Sequence, residues 1–114
     1  MARDDYYVIV YQILSYLYQC LKKGKPVNPD MISNSNKYFN INQQYWEYIM
    51  YNLVRYEYIE GLVLLEVDGK DYPYVENLEK ATITPKGIDY LCDNSFMKKA
   101  KHFLKDIKEI APFI

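Results

Sequence analysis

Apolar side chains recur at helical spacing in several separate stretches of this chain, and a β-rich run interrupts them after the middle of the sequence. From Asp4 to Lys23, Tyr6, Ile9, Val10, Ile13, Leu14, Leu17, Cys20 and Leu21 form one stripe, with Gln12, Ser15 and Gln19 assigned to the opposite side. This predicts a first helix with a wide buried face. Asp4 and Asp5 stand at its positive end, Lys22 and Lys23 at its negative end, and Gly24 stops it.

The stretch from Asn40 to Val67 organises the rest. Trp46, Ile49, Met50, Leu53 and Val54 gather on one face of a helix that Asn42 caps and that Ile41 staples against Trp46. Gly61 then follows Tyr58, Ile59 and Glu60, and Leu62 to Val67 is rich in strand-forming residues, so the helix is expected to enter a strand through that glycine. Helix, glycine, strand is the order in which the second helix of a helix-turn-helix passes into the wing of a winged-helix domain. Before it, Asn28 and Pro29 predict a short second helix anchored by Met31 and Ile32. The cluster Ser33, Asn34, Ser35, Asn36 blurs its end.

Beyond Val67, Asp68–Gly69 is a tight-turn dipeptide, Tyr72 to Val75 is extended, and Ala81 to Thr84 offers a return strand, so residues 62–84 are read as a wing with a long polar tip. Thr84 and Pro85 open a fourth helix that buries Ile88, Leu91 and Cys92. A last helix, Ser95 to Ile110, carries Phe96, Met97, Ala100, Phe103, Leu104 and Ile107 on one face and Lys98, Lys99, Lys101, Lys105 and Lys108 on the other, with Pro112 ending it. That is more apolar surface than a peripheral helix of a small domain needs, so these six apolar residues are the expected homodimer interface. The expected fold is mainly α with a small antiparallel hairpin (α+β): a five-helix domain in which residues 1–94 form a winged helix and residues 95–114 add the fifth, C-terminal helix to the same domain.

Composition changes this picture in three places. Half of the 114 residues are hydrophobic, which suits one ordered domain, and fourteen tyrosines are expected at the boundary of core and solvent or at an interface. Polar interruptions in the first helix argue against a signal peptide or membrane span. Cys20 and Cys92 lie in apolar patterns without metal spacing and are read as reduced, buried thiols of a cytoplasmic protein.

With the helix order and wing in place, the phrases ITPKGIDYL and NSFMKKAKHFLKDIKEIAP become informative. The first resembles the strand-to-helix junction of bacterial winged-helix proteins. The second resembles the YjcQ-like family of small bacterial and prophage proteins, with the likeness strongest over Tyr45 to Leu62 and Ile83 to Pro112 and weakest in the loops Asn34 to Asn40 and Asp68 to Lys80. The resemblance implies a winged-helix fold and a place among phage or host regulators, without a defined activity.

A winged helix that reads DNA in the usual way would present Gln44, Tyr48, Tyr51 and Arg55 to the major groove, with Gln43 and Glu47 beside them. Lys37, Lys86, Lys98, Lys99 and Lys101 are the candidate phosphate contacts. Electrostatics opposes that mode. Residues 40–80 hold three basic against eight acidic side chains, a net −5 facing a polyanion, whereas the last helix carries five lysines against Asp106 and Glu109. Simple solvation of an amphipathic helix accounts for those lysines better than a phosphate track does. Tyr45, Tyr48, Tyr51, Tyr56 and Tyr58 suit a protein interface instead. Core packing explains Tyr45, Tyr56 and Tyr58 but not Tyr48 and Tyr51.

No catalytic group is evident. His102, the single histidine, falls on the polar side of the last helix; no nucleophile elbow or glycine-rich phosphate loop exists among four glycines. The expectation is a non-enzymatic regulator of the phage or mobile-element kind without cofactor or metal, bound to double-stranded DNA and acting as a homodimer without membrane association; the alternative is a winged helix that binds protein, or a structural dimer, without nucleic-acid binding.

Overall fold

The computed structural model describes residues 1–107. Four α-helices surround a small antiparallel β component, an α+β arrangement in the order α1 (Tyr6–Lys23), a 3-10 turn (Pro29–Met31), α2 (Gln43–Arg55), β1 (Ile59–Glu60), β2 (Val63–Leu65), β3 (Tyr74–Glu76), a second 3-10 turn (Leu78–Lys80), β4 (Thr82–Ile83), α3 (Pro85–Asp93) and α4 (Ser95–Asp106). The last helix was expected to reach Ile110; Lys108, Glu109, Ala111 and Pro112, on which that expectation drew, lie outside the described residues.

The inner helix is α1, not α2. Val8, Ile9, Val10, Ile13, Leu14 and Leu17 are all buried, and so are Gln12 and Ser15, which the stripe had placed on a solvated side. The reason is that α3, α4 and β4 all pack on α1, leaving little of its middle for water. Ser15 hides its hydroxyl by donating to the Tyr11 carbonyl at 2.6 Å, whereas the Gln12 Oε1 has no partner among the described residues. Past the packed turns the stripe fails in the other direction, and Leu21 is exposed. Gly24 takes φ 63° and closes the helix with its N–H on the carbonyls of Cys20 and Leu21.

The predicted second α-helix is a single 3-10 turn, so the chain has four α-helices among the described residues instead of five. Asn28 Oδ1 accepts the Asp30 N–H at 3.1 Å, but side chains then take over the backbone partners. Asn36 Oδ1 accepts the N–H groups of Tyr38 and Phe39, and Asn34 Nδ2 donates to the Ile41 carbonyl at 3.2 Å. Ile32 from this turn is fully buried and its carbonyl accepts the Trp46 indole N–H at 2.9 Å, which fixes α2 against the loop. Helix α2 has the expected cap, Asn42 Oδ1 accepting the Tyr45 N–H at 2.9 Å, and the expected inner face, with Trp46, Ile49, Met50 and Leu53 buried.

Its exit differs from expectation. Glu57, at φ 64°, makes the left-handed step that Gly61 was expected to make, and the strand begins at Ile59. Gly61 instead separates two ladders: β1 with β4 (Ile59 opposite Ile83) and β2 with β3 (Leu64 opposite Val75). At φ 92°, with the Lys80 carbonyl oxygen where a Cβ would stand, only glycine fits there. Thr84 joins the ladders to α3, its hydroxyl donating to the Glu57 carbonyl and accepting the Gly87 N–H at 3.0 Å. Cys20 is buried as expected, but Cys92 is exposed; both thiols are free.

Aromatic rings, mostly tyrosines, bracket the seam where α1 meets α2, α3 and α4. Tyr6 stands edge-on to Tyr48 at 6.0 Å, Tyr58 stacks on Tyr90 at 4.3 Å, and Tyr7 stacks on Phe96 at 4.4 Å. Burial, followed by the neighbouring phenols, pushes the Tyr6 hydroxyl far above its ordinary value of 10.0. Burial and then Tyr58 and Tyr7 raise Tyr90 to about 12. Burial also raises Tyr11, and burial followed by the charges of Asp4 and Asp5 raises Tyr45.

Because these phenols ionise later folded than unfolded, their contribution to stability is complete below pH 10 and lost as pH rises through about 12. Absorbance of tyrosinate followed against pH should show Tyr90 and Tyr6 ionising last, together with unfolding; their titration with the exposed tyrosines would contradict the seam. Gly61→Ala should lower the unfolding free energy by more than about 2 kcal/mol, against about 1 kcal/mol for Gly24→Ala, whose Cβ meets nothing, as measured by urea titration.

Candidate nucleic-acid interface

The outward face of α2 is partly occupied: Tyr51 is half-buried and Glu47 buried, while Gln43, Gln44, Tyr48 and Arg55 stay exposed. The loop that follows β2 folds back over it, and three consecutive residues hold it there. Lys70 Nζ donates to Glu47 Oε1 at 2.9 Å, Asp71 Oδ2 accepts the Gln44 amide at 3.2 Å, and the Tyr72 ring lies 5.4 Å from Tyr48 and 6.1 Å from Tyr51. Glu47, expected beside the reading face, is only 3% exposed in its side chain, and Gln43 donates to its second oxygen at 3.3 Å. Lys70 also sits 4.2 Å from the Tyr74 ring centroid, so one ammonium anchors both the helix and β3. Tyr48 and Tyr51, which core packing did not explain, are accounted for by Tyr72.

The expected nucleic-acid residues therefore do not form one surface. Gln43, Gln44, Tyr48 and Tyr51 are engaged by the loop or by Glu47, and the Arg55 guanidinium lies over the Tyr56 ring at 5.4 Å. Lys37 lies over Tyr38 at 5.2 Å in the asparagine-rich loop, and Lys86 borders a separate recess beside Gly61 and Thr84. Lys99 turns to Phe96, 5.2 Å from its ring. Of the candidate lysines, Lys98 and Lys101 alone come together.

They do so along a groove of about 520 Å³ between α1 and α4, where Lys105 and His102 join them and Tyr18 and Gln19 of α1 form the facing wall. Lys22, outside the groove lining, lies over the Tyr18 ring at 4.4 Å. No carboxylate lines the groove among the described residues. Lys105, Tyr18 and Gln19 were absent from the expected site. The signal was present in the spacing: positions 98, 101 and 105 share one helical face, and position 99 is rotated about 100° away from 98.

The same helix corrects the expected dimer interface. Met97, Ala100 and Leu104 are fully buried in the chain's own core, where α4 packs along α1. Phe103 and Ile107 are half-buried, and Phe96 is exposed but stacked on Tyr7. The apolar surplus of α4 is used within the chain, to cover α1.

A family model described as YjcQ protein matches residues 11–110, most of the chain. The chain belongs to this family. Within the YjcQ match lie α1 from Tyr11 onward, α2 with the loop braced against it and the α1–α4 groove. No curated protein and no solved structure matches the chain. Among the described residues of this YjcQ family member, no helix is long and apolar enough to cross a membrane, and no group of three or more His, Cys, Asp or Glu is placed to hold a metal ion.

Lys70→Met should cost about 2–3 kcal/mol, since it leaves a carboxylate buried without its cation, whereas Glu47→Leu with Lys70→Met should return to within about 1 kcal/mol of the parent. Urea unfolding of both variants checks this, and equal losses in the two would mean that the ion pair does not hold the loop.

Proposed function

We propose that the protein is a non-catalytic, cytoplasmic DNA-associated regulator of the phage or mobile-element kind, built on a winged-helix plan, that grips the phosphate backbone through the α1–α4 groove and not by base readout from α2. The order of helix, turn, helix, hairpin and helix supports the winged-helix part of this reading, with the second helix shortened to one turn. The observation that carries the binding mode is the convergence of Lys98, Lys101, Lys105 and His102 on one groove lined by no acid among the described residues. Ammonium groups and a tyrosine hydroxyl suit phosphate oxygens, and such contacts position a duplex without reading its sequence.

A second reading, a winged helix that binds protein, draws on the tyrosine-bearing face of α2 that the loop braces. Gln44 and Glu47 are already partnered by Asp71 and Lys70, so a base edge that reaches Gln44 would have to displace its hydrogen bond to Asp71.

Anisotropy of a labelled mixed-sequence duplex should report binding at low salt. Replacing Lys98, Lys101 and Lys105 by glutamine should weaken it strongly and reduce the slope of log affinity against log salt by roughly 2–3, at about 0.9 per lost phosphate contact. Gln44→Ala and Arg55→Ala should change it little. Absence of binding at low salt supports the protein-binding reading, and dependence on Gln44 and Arg55 would return the reading face to α2.

A further inference from the structure

A second groove, of about 390 Å³, shares no lining residue with the basic one. It runs between Tyr6 and Tyr7 at the start of α1 and Tyr45, Tyr48 and Tyr56 on or beside α2, and Tyr58 and Tyr90 close its far end. The single lining residue that is not a tyrosine is Asn52. Its side chain belongs to a residue only 7% exposed, yet its carboxamide has no hydrogen-bond partner among the described residues. The carboxamide is not sealed in the core: it lines the groove and meets water there, so a ligand in the groove can use it. Apart from Tyr45, whose hydroxyl donates to the Asp4 carbonyl at 2.8 Å, the phenol hydroxyls of the groove are likewise without partners among the described residues.

The rings are already braced. Tyr6 is held edge-on between Tyr7 at 5.2 Å and Tyr48 at 6.0 Å, and the Tyr58–Tyr90 stack is nearly parallel, at 20°. A ligand would therefore meet a surface that loses little conformational entropy on binding.

The chemistry of the lining selects the class of ligand. No charged side chain lines the groove, so it lacks the cations that an anionic nucleic-acid strand requires. An organic cation needs an enclosing box of ring faces, but this groove is open, with Tyr48 and Tyr56 exposed by 40% and 45%. What the groove offers is flat apolar walls together with neutral donors. A polyproline II segment is the complement of that surface: its pyrrolidine rings pack on aromatic faces, its carbonyls have no internal partners, and its prolines bring no N–H that would need an acceptor.

We propose that this groove docks a proline-rich polypeptide in the polyproline II conformation. The Asn52 carboxamide and the free tyrosine hydroxyls donate to its carbonyls, and the rings of Tyr56, Tyr58 and Tyr90 receive its prolines. The inference is independent of phosphate binding by α4.

The test is a ¹H–¹⁵N titration of the full chain with decaproline, following the side-chain NH₂ pair of Asn52. Decaproline should shift that pair and the amides around Tyr56 and Tyr90, and Asn52→Ala and Tyr56→Ala should each weaken binding by about tenfold or more. Tyr56 is exposed, so its truncation leaves the fold in place and reports on the ligand even where the Asn52 variant loses stability. No shift at millimolar decaproline overturns the proposal, as does an equal shift with a glycine–serine peptide of the same length, an oligothymidylate or tetramethylammonium. Affinity unchanged by both substitutions overturns it too.

Discussion

Everything in this molecule depends on the burial of α1 along most of its length. A helix surrounded by α3, α4 and a strand can shed its apolar surface only if each neighbour brings a matching face, and the rest of the chain is shaped to supply one. Helix α4 brings Met97, Ala100 and Leu104; β4 brings Ile83; α2 closes the core with Ile49, Met50 and Leu53. The small residue at position 100 allows the close approach of α4 that longer side chains would prevent. The same requirement explains why Ser15 folds its hydroxyl onto its own helix and why Met97, Ala100 and Leu104 of α4 face inward.

The hairpin serves the opposite end of the molecule. Its ladders are short and interrupted at Gly61, so pairing alone gives them little independent stability. They are kept in place by side chains of the connecting loop, above all by the ammonium of Lys70 set between a buried carboxylate and an aromatic ring. That arrangement reconciles an acidic hairpin with an orderly α2: part of the negative charge in this region is neutralised internally instead of facing a ligand. It also moves the positive field of the protein to α4, where lysines project away from the core that their own helix helps to fill.

Much of the fold was legible along the chain because local chemistry and tertiary packing agree there. Asn42, Thr84 and Gly24 end or begin helices as their side chains dictate, and Trp46 is buried as its stripe requires. Legibility fails where packing overrides the local pattern. Gln12 and Ser15 look solvated until a second layer of helices is known to cover them. The asparagine-rich segment has the cap of a helix but spends its side chains on turns, and Glu57 enters the left-handed region although a glycine stands four residues later. The candidate site was harder still. Lysine spacing was readable within α4, but its facing wall on α1 and the cover over α2 come from residues far apart in sequence, which no single-helix pattern contains. The unpaired Asn52 was invisible for the same reason.

The three adjoining contacts between the hairpin loop and α2 tie two distant stretches of the gene together. Residue 47 cannot reverse its sign unless residue 70 follows, and a smaller ring at 72 leaves 48 and 51 bare. Loop tips ordinarily drift freely in length and composition as lineages diverge. Here the tip is bound to inherit its changes in concert with a helix more than twenty positions upstream, which makes paired substitution, and not simple variability, the expected mark of descent across this surface.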